Sequence, residues 1–283
     1  MRNRRLEVRP LSPAIGAEVF GADLAEELDD DAIREIRDAL LEHCVVFFRE
    51  QRLSEAQHKA FAGRFGALTV HPMIRPGAEN PEILRIVKLP GDANNFGGDW
   101  HSDLTYTAEP ALGSVLYARE VPDCGGDTLF ANTHLAYEAL SDGMKRLLAP
   151  LKAVHSTDLS YGDDGKSGLI GEKDSMPVAQ RAYAPQTAEH PVVRTHPESG
   201  RKALYVNKVF TTRFVGMTKE ESAPLLDFLF RQVERPEYTC RFRWRTGSLA
   251  FWDNRVAQHY ALNDYHGHRR EMHRITVAGD RPV

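Results

Sequence analysis

The chain has 283 residues, 42% of them hydrophobic, with 36 Lys and Arg against 40 Asp and Glu for a formal net charge of −4. That is ample chain for a full core, but it offers no long-range attraction for nucleic acid or an anionic membrane. No apolar run reaches the roughly 20 residues that span a bilayer. The basic opening, Arg2, Arg4 and Arg5, leads into no signal-peptide core. Cys44, Cys124 and Cys240 form neither a CxxC pair nor an even-numbered framework, so a reducing cytoplasm and a packing role are expected.

In chain order, Asp29 to Asp31 place acids at the start of a helix whose Ile33, Ile36 and Leu40 share a face. Cys44 to Phe48 reads as a buried strand. Ser54 and Gln57 make a capping box for a second helix carrying Phe61 and Phe65. A third helix is expected from about Thr133 to Leu151. Short strands are expected at Ile83 to Val87, Leu112 to Arg119, Asp127 to Ala131, Val192 to Thr195 and Ala203 to Val206. The last two flank Pro197, Ser199 and Gly200 and read as a hairpin. Tyr238 to Trp244 and Ser248 to Trp252 flank Thr246-Gly247 and read as another. Arg270 to Ala278 closes the set. Thr218 and Glu221 form a second capping box, with Pro224 placed to kink the helix that follows.

Many strands with a few peripheral helices give a mainly β (α+β) class, arranged as a double-sheet jelly roll in one domain over 1–283. From about Leu159 to Glu189 the pattern dissolves into Gly, Asp, Ser, Pro and Lys. A stretch of that kind reads equally as a functional lid or as a tolerated surface insertion.

The chemistry concentrates in two segments. In Asp99-Trp100-His101-Ser102-Asp103, an extended backbone would point His101 and Asp103 the same way, giving adjacent positions on one metal ion. Alone, an HxD is as readily a structural pair. Trp252-Asp253-Asn254-Arg255 followed by Gln258-His259-Tyr260 supplies a third ligand. Two histidines and one carboxylate, with positions left open, is the ligand set of non-haem iron(II) oxygenases. Eleven residues beyond His259 stands Arg270, a permanent cation suited to a carboxylate. Thr128, in Gly125-Gly126-Asp127-Thr128, could add a hydroxyl to the same anion. Zinc hydrolysis would use the same three ligands but leaves Arg270 without a purpose.

Together the motifs WHSD, GGDTLF, WDNRVAQHYA and RREMHR resemble those of the taurine dioxygenase/TfdA-type family of 2-oxoglutarate-dependent oxygenases, from about Leu6 to Val283. The resemblance implies a double-stranded β-helix core, Fe(II) on His101, Asp103 and His259, and 2-oxoglutarate held by Thr128 and Arg270. It implies O2 as co-substrate, succinate and CO2 as co-products, and dimers or tetramers. It further implies a substrate site formed by His71 and Arg274, with Tyr161 and Phe210 as aromatic walls. Ile74 and Gly97 stand where a Tyr and an Asn would complete a taurine site, so taurine itself is disfavoured. A small organic anion is expected instead: a sulfonate, an alkyl sulfate or an aryloxyalkanoate, hydroxylated beside its heteroatom. The alternatives are a hydroxylase tailoring an amino acid or secondary metabolite, and a non-enzymatic jelly-roll metal or ligand binder. His266 and His268 flank Gly267 in an expected solvated turn, and His273 has the opposite strand parity to Arg274.

Overall fold

A computed structural model describes residues 6–74, 77, 79–161 and 185–283. In chain order it begins β1 (Glu7–Pro10), β2 (Ala17–Phe20), α1 (Asp30–His43), β3 (Val45–Phe48), α2 (Glu55–Gly63), β4 (Leu68–Thr69), β5 (Ile83–Lys88) and β6 (Gly113–Glu120). There follow β7 (Thr128–Asn132), α3 (Thr133–Glu138), α4 (Asp142–Leu148), β8 (Lys152–Ser156), α5 (Asp158–Tyr161), β9 (Thr187–Pro191), β10 (Val193–Thr195) and β11 (Lys202–Leu204). The chain closes with β12 (Thr211–Phe214), α6 (Lys219–Val233), a 3-10 turn, β13 (Thr239–Phe242), β14 (Leu249–Asp253), β15 (Ala257–Ala261) and β16 (Arg270–Val277). Strands predominate and helices are few.

The largest sheet runs β1-β2-β3-β14-β6-β16-β4, with β5 also on β16. Its central strands are apolar on both faces because both faces are covered. Val46, Phe48, Val115, Tyr117, Phe251 and Ile275 pack beneath α1 and α2, meeting Ile36, Leu40 and Phe61. Val45, Phe47, Leu116, Ala250, Trp252 and Met272 point the other way, onto Phe130 and Phe242 of the three-stranded sheet β13-β7-β15. Phe47 stacks flat on Phe242 with centroids 3.9 Å apart. A third core, Ala131, Ala136, Leu226, Leu229 and Val233, seats α3 and α6.

Local signals set most element ends. The Asp29 side chain caps α1 by accepting from the Ala32 N–H, a contact contributing about 1 kcal/mol. Both expected capping boxes are present, at Ser54 and Thr218. The expected strands lie within two residues of observed ones, and Val193 to Thr195 pairs with Lys202 to Leu204 as anticipated.

Four expectations need correction. The helix expected from Thr133 to Leu151 is two helices, because the Ser141 side chain accepts from the Met144 N–H and starts α4 afresh. The Thr246-Gly247 hairpin does not form: β13 pairs with β7, while β14 pairs with β3 and β6. The turn instead carries the chain from one sheet to the other. Within the expected irregular stretch, Leu159 to Tyr161 belong to α5 and Thr187 to Glu189 to β9. Residues 162–184 of it lie outside the described residues. Cys124 is exposed rather than packed, unlike the buried Cys44 and Cys240.

Candidate active site

The His101 N–H donates to the His259 carbonyl (3.1 Å), and the His259 N–H returns a bond to the His101 carbonyl (2.8 Å). This isolated antiparallel bridge joins the WHSD segment to β15. His101 therefore belongs to a bridge, not a strand, and Asp103 opens the turn after it. The imidazoles and the carboxylate still converge. Asp103 Oδ1 lies 3.7 Å from His101 Nε2 and 3.9 Å from His259 Nε2. One ligand atom from each residue falls within 4.8 Å of the others, and all three side chains are buried.

The donor set suits a divalent metal. His101 Nδ1 stands 2.8 Å from the Asp99 carbonyl and must donate to it, which leaves the Nε2 lone pair for a metal. Burial holds both imidazoles below their ordinary pKa, with the Asp103 charge opposing, which favours neutral rings able to act as ligands. Burial alone would raise the Asp103 carboxyl. The Arg274 charge foremost, with the Ser114 hydrogen bond, outweighs it and holds the carboxylate ionised.

Asp103 is fixed from three sides. Its Oδ2 accepts from Ser114 Oγ (2.7 Å) and its Oδ1 from Arg274 Nη1 (2.8 Å). Its backbone N–H donates to Asn254 Oδ1 (3.1 Å), which also accepts from Trp252 Nε1 (2.9 Å). The next residue, Leu104, takes φ 57°, a left-handed conformation costly for a branched side chain. His190 holds that turn: its Nε2 lies 2.9 and 3.0 Å from the Thr105 and Thr107 carbonyls and can only donate to them. Ser114, Trp244, Asn254 and His190 were not singled out by function in the sequence. The one available signal was a polar side chain embedded in an apolar segment, as Asn254 is after Phe251-Trp252.

Arg270 and Arg274 share the inner face of β16 with Met272, as residues two apart on a strand must. Arg270 is 6% exposed, and its Nε and Nη2 have no hydrogen-bond partner among the described residues. Burial depresses its pKa, with Tyr265 opposing. A buried guanidinium left this way calls for an anion. Gly126, at φ 69°, passes close beside it: a Cβ there would sit 3.2 Å from Arg270 Cδ and Nε. Two residues on, Thr128 Oγ1 accepts from Trp244 Nε1 (2.9 Å) and retains its own proton to donate.

The triad also borders a cavity of about 280 Å³. His71, Arg274, Tyr161 and Phe210 all line it together with His101 and Asp103. Thr128 and Arg270 are not part of that lining, nor is the buried Ile74, whereas Gly97 is. His71 Nδ1 accepts from the Met73 N–H, so its Nε2 carries the proton. Burial and then the charge of Arg274 disfavour a second proton. Leu104, Tyr106, Leu159 and Val209 make the remaining walls largely apolar. His273 turns away as expected, toward Glu271 and Glu55, and His266 and His268 are exposed in a turn.

Two buried histidines and one buried carboxylate between β-sheets, with a largely apolar cavity opening on them, offer the donor set of a non-haem metal oxygenase. The chain belongs to the TauD/TfdA dioxygenase family: the family described as taurine catabolism dioxygenase TauD, TfdA family matches residues 7–276. It is similar to an alkylsulfatase of Acinetobacter baylyi, 38% identical over 281 residues, which cover 98% of this chain and 86% of that protein. It is similar also to an alpha-ketoglutarate-dependent sulfate ester dioxygenase of Pseudomonas putida, 36% identical over 283 residues, covering 98% and 91% of the two. A crystal structure of a taurine dioxygenase from Burkholderia xenovorans superposes with a TM-score of 0.82 at 37% identity, covering 99% of this chain and 91% of that one.

Proposed function

We propose that this protein is an Fe(II)- and 2-oxoglutarate-dependent dioxygenase that hydroxylates a small organic oxyanion at the carbon beside its heteroatom, with alkyl sulfates the favoured class. The observation that carries the reading is the pairing of Arg274 and His71 over an apolar cavity on the open side of the triad. The sulfate ester relatives favour the same class. We read the two facing sheets as a jelly-roll core and the chain as one catalytic domain.

His101, Asp103 and His259 would hold the iron. Arg270 and the Thr128 hydroxyl would take the far carboxylate of 2-oxoglutarate, and so satisfy the buried guanidinium. When bound, the iron supplies the redox chemistry that turns 2-oxoglutarate and O2 into succinate and CO2, with one oxygen atom inserted into a substrate C–H bond. The protein's own groups do the positioning. Arg274 offers charge and His71 an Nε2–H to the substrate oxyanion. Tyr106, Val209 and Phe210 exclude water around the alkyl chain. An alkyl sulfate hydroxylated at the carbon bearing the ester oxygen collapses to an aldehyde and free sulfate, because that carbon then carries two oxygens.

Succinate formation with Fe(II), ascorbate and 2-oxoglutarate tests this across taurine, alkylsulfonates, alkyl sulfates and aryloxyalkanoates, with His101→Ala as control. Alkyl sulfates are expected to raise succinate most and to release sulfate. Stimulation by aryloxyalkanoates alone would overturn the substrate class, and succinate unaffected by His101→Ala would overturn the metal site.

A further inference from the structure

One oxygen faces two ways in this site. Asp103 Oδ1 is the carboxylate atom nearest both imidazole Nε2 atoms, and it is also the atom held by Arg274 at 2.8 Å. Arg274 is 3% exposed, so the contact is shielded from solvent. The guanidinium is only partly used there. Its Nε is buried without a hydrogen-bond partner among the described residues, and its carbon lies 5.5 Å from the Phe96 ring centroid, at the cavity wall.

The charges make this arrangement consequential. Without ligands, Asp103 and Arg274 neutralise each other. A divalent cation seated on Asp103 Oδ1 adds two positive charges next to the fixed one of Arg274, in surroundings that screen poorly. An oxyanion on the free edge of the guanidinium would offset that repulsion without breaking the Arg274–Asp103 contact. We propose that Arg274 couples the two ligands energetically: it opposes metal binding while the cavity lacks an oxyanion, and favours it once an oxyanion is bound. Linkage makes the effect mutual, so the metal must tighten the oxyanion by the same factor. This rests on Arg274 being the oxyanion contact of the proposed function, and adds to it a sign that a purely orienting arginine would not have.

The test uses chelator-treated full-length protein, saturating 2-oxoglutarate and Mn(II) under anaerobic conditions, followed by titration calorimetry with and without hexyl sulfate. In the wild type, hexyl sulfate is expected to tighten Mn(II) by about tenfold, and Mn(II) to tighten hexyl sulfate equally. Arg274→Met, checked for cooperative unfolding, is expected to bind Mn(II) more tightly than the wild type when hexyl sulfate is absent, and to lose the response to it. Arg274→Lys, which keeps the charge, should not gain that affinity. Hexyl sulfate that binds the wild type yet leaves Mn(II) affinity unchanged overturns the coupling while the substrate reading stands. No binding of hexyl sulfate to the wild type sinks both. A folded Arg274→Met that binds Mn(II) more weakly shows an orienting role only and overturns the coupling. The wild-type cycle decides the matter even if the methionine variant fails to fold.

Discussion

His101 and His259, remote in sequence, exchange both backbone hydrogen bonds with each other. In such a pair the two side chains leave the backbone on the same side. The approach of the two imidazoles is thus set by main-chain pairing, not by the imidazoles themselves. His101→Ala and His259→Ala keep that pairing and should fold, while losing metal binding and succinate formation. Thermal unfolding and Mn(II) titration check both halves. A variant that still binds Mn(II) like the wild type would remove its residue from the ligand set.

Arg270 gives a stability prediction with an unusual sign. Replacing an unsatisfied buried cation by an apolar group of similar size is often neutral or stabilising. Arg270→Met should therefore melt no lower than the wild type without 2-oxoglutarate. The wild type should gain about 2.7 kcal/mol at a 2-oxoglutarate concentration a hundredfold above Kd, and the variant nothing at that concentration. Equal thermal shifts in the two proteins would place the cosubstrate elsewhere.

Asn254 holds Asp103 in place through the Asp103 backbone N–H. Asn254→Ala strands two buried donors, the Asp103 N–H and Trp252 Nε1, at a cost of about 1–3 kcal/mol. Metal affinity should fall by roughly 10–100-fold, as for other groups that orient a ligand. Ser114→Ala leaves Asp103 with Arg274 and Asn254 and should do less. If Asn254→Ala loses stability but keeps full Mn(II) affinity, the residue is merely structural.

Gly97 leaves room where a side chain would crowd His101. Its φ is 80°, which Asn can adopt, and a Cβ there would lie 3.2 Å from His101 Cε1. Gly97→Asn should lower kcat/KM for long alkyl sulfates by about tenfold and for short ones less, in the range of steric discrimination. A series of chain lengths distinguishes this from a uniform loss, which would point to a disturbed His101 instead.

Acid should destabilise the metal-free protein early. Burial pushes His58 and His155 down to about 3 from an ordinary 6.5. Between those values the unfolded chain binds protons that the native state refuses, so stability falls as pH falls. Each such histidine contributes about 1.4 kcal/mol per pH unit. Urea midpoints should drop between pH 7 and pH 5, and His155→Gln should reduce the drop. Equal midpoints at the two pH values would show that these imidazoles protonate in place.

The convergence of His101, Asp103 and His259, and the buried Arg270, were legible because each part carries its own chemistry: a carboxylate two residues after His101, an imidazole after a strand-like run, a guanidinium at a fixed offset. Element starts at Asp29, Ser54 and Thr218 were legible because a cap is a local hydrogen bond. What stayed hidden depends on pairing over long distances. Thr246-Gly247 has the chemistry of a hairpin turn, yet the flanking strands found better partners in β7, β3 and β6. Trp244 read as a core residue, and it is buried, but only the sheet arrangement brings its Nε1 to Thr128. The role of His190 likewise comes from neighbours far along the chain.

Strand β16 carries both arginines four residues apart, on the same face, at about 13 Å along the strand. That makes it a ruler. Inserting or deleting one residue between them would turn one guanidinium through to the helix-covered side of the sheet. Drift toward new substrates therefore cannot proceed by stretching this strand. It falls instead to other lining residues, where Gly97, Leu159 and Val209 can change size one at a time while the charged frame stays in register.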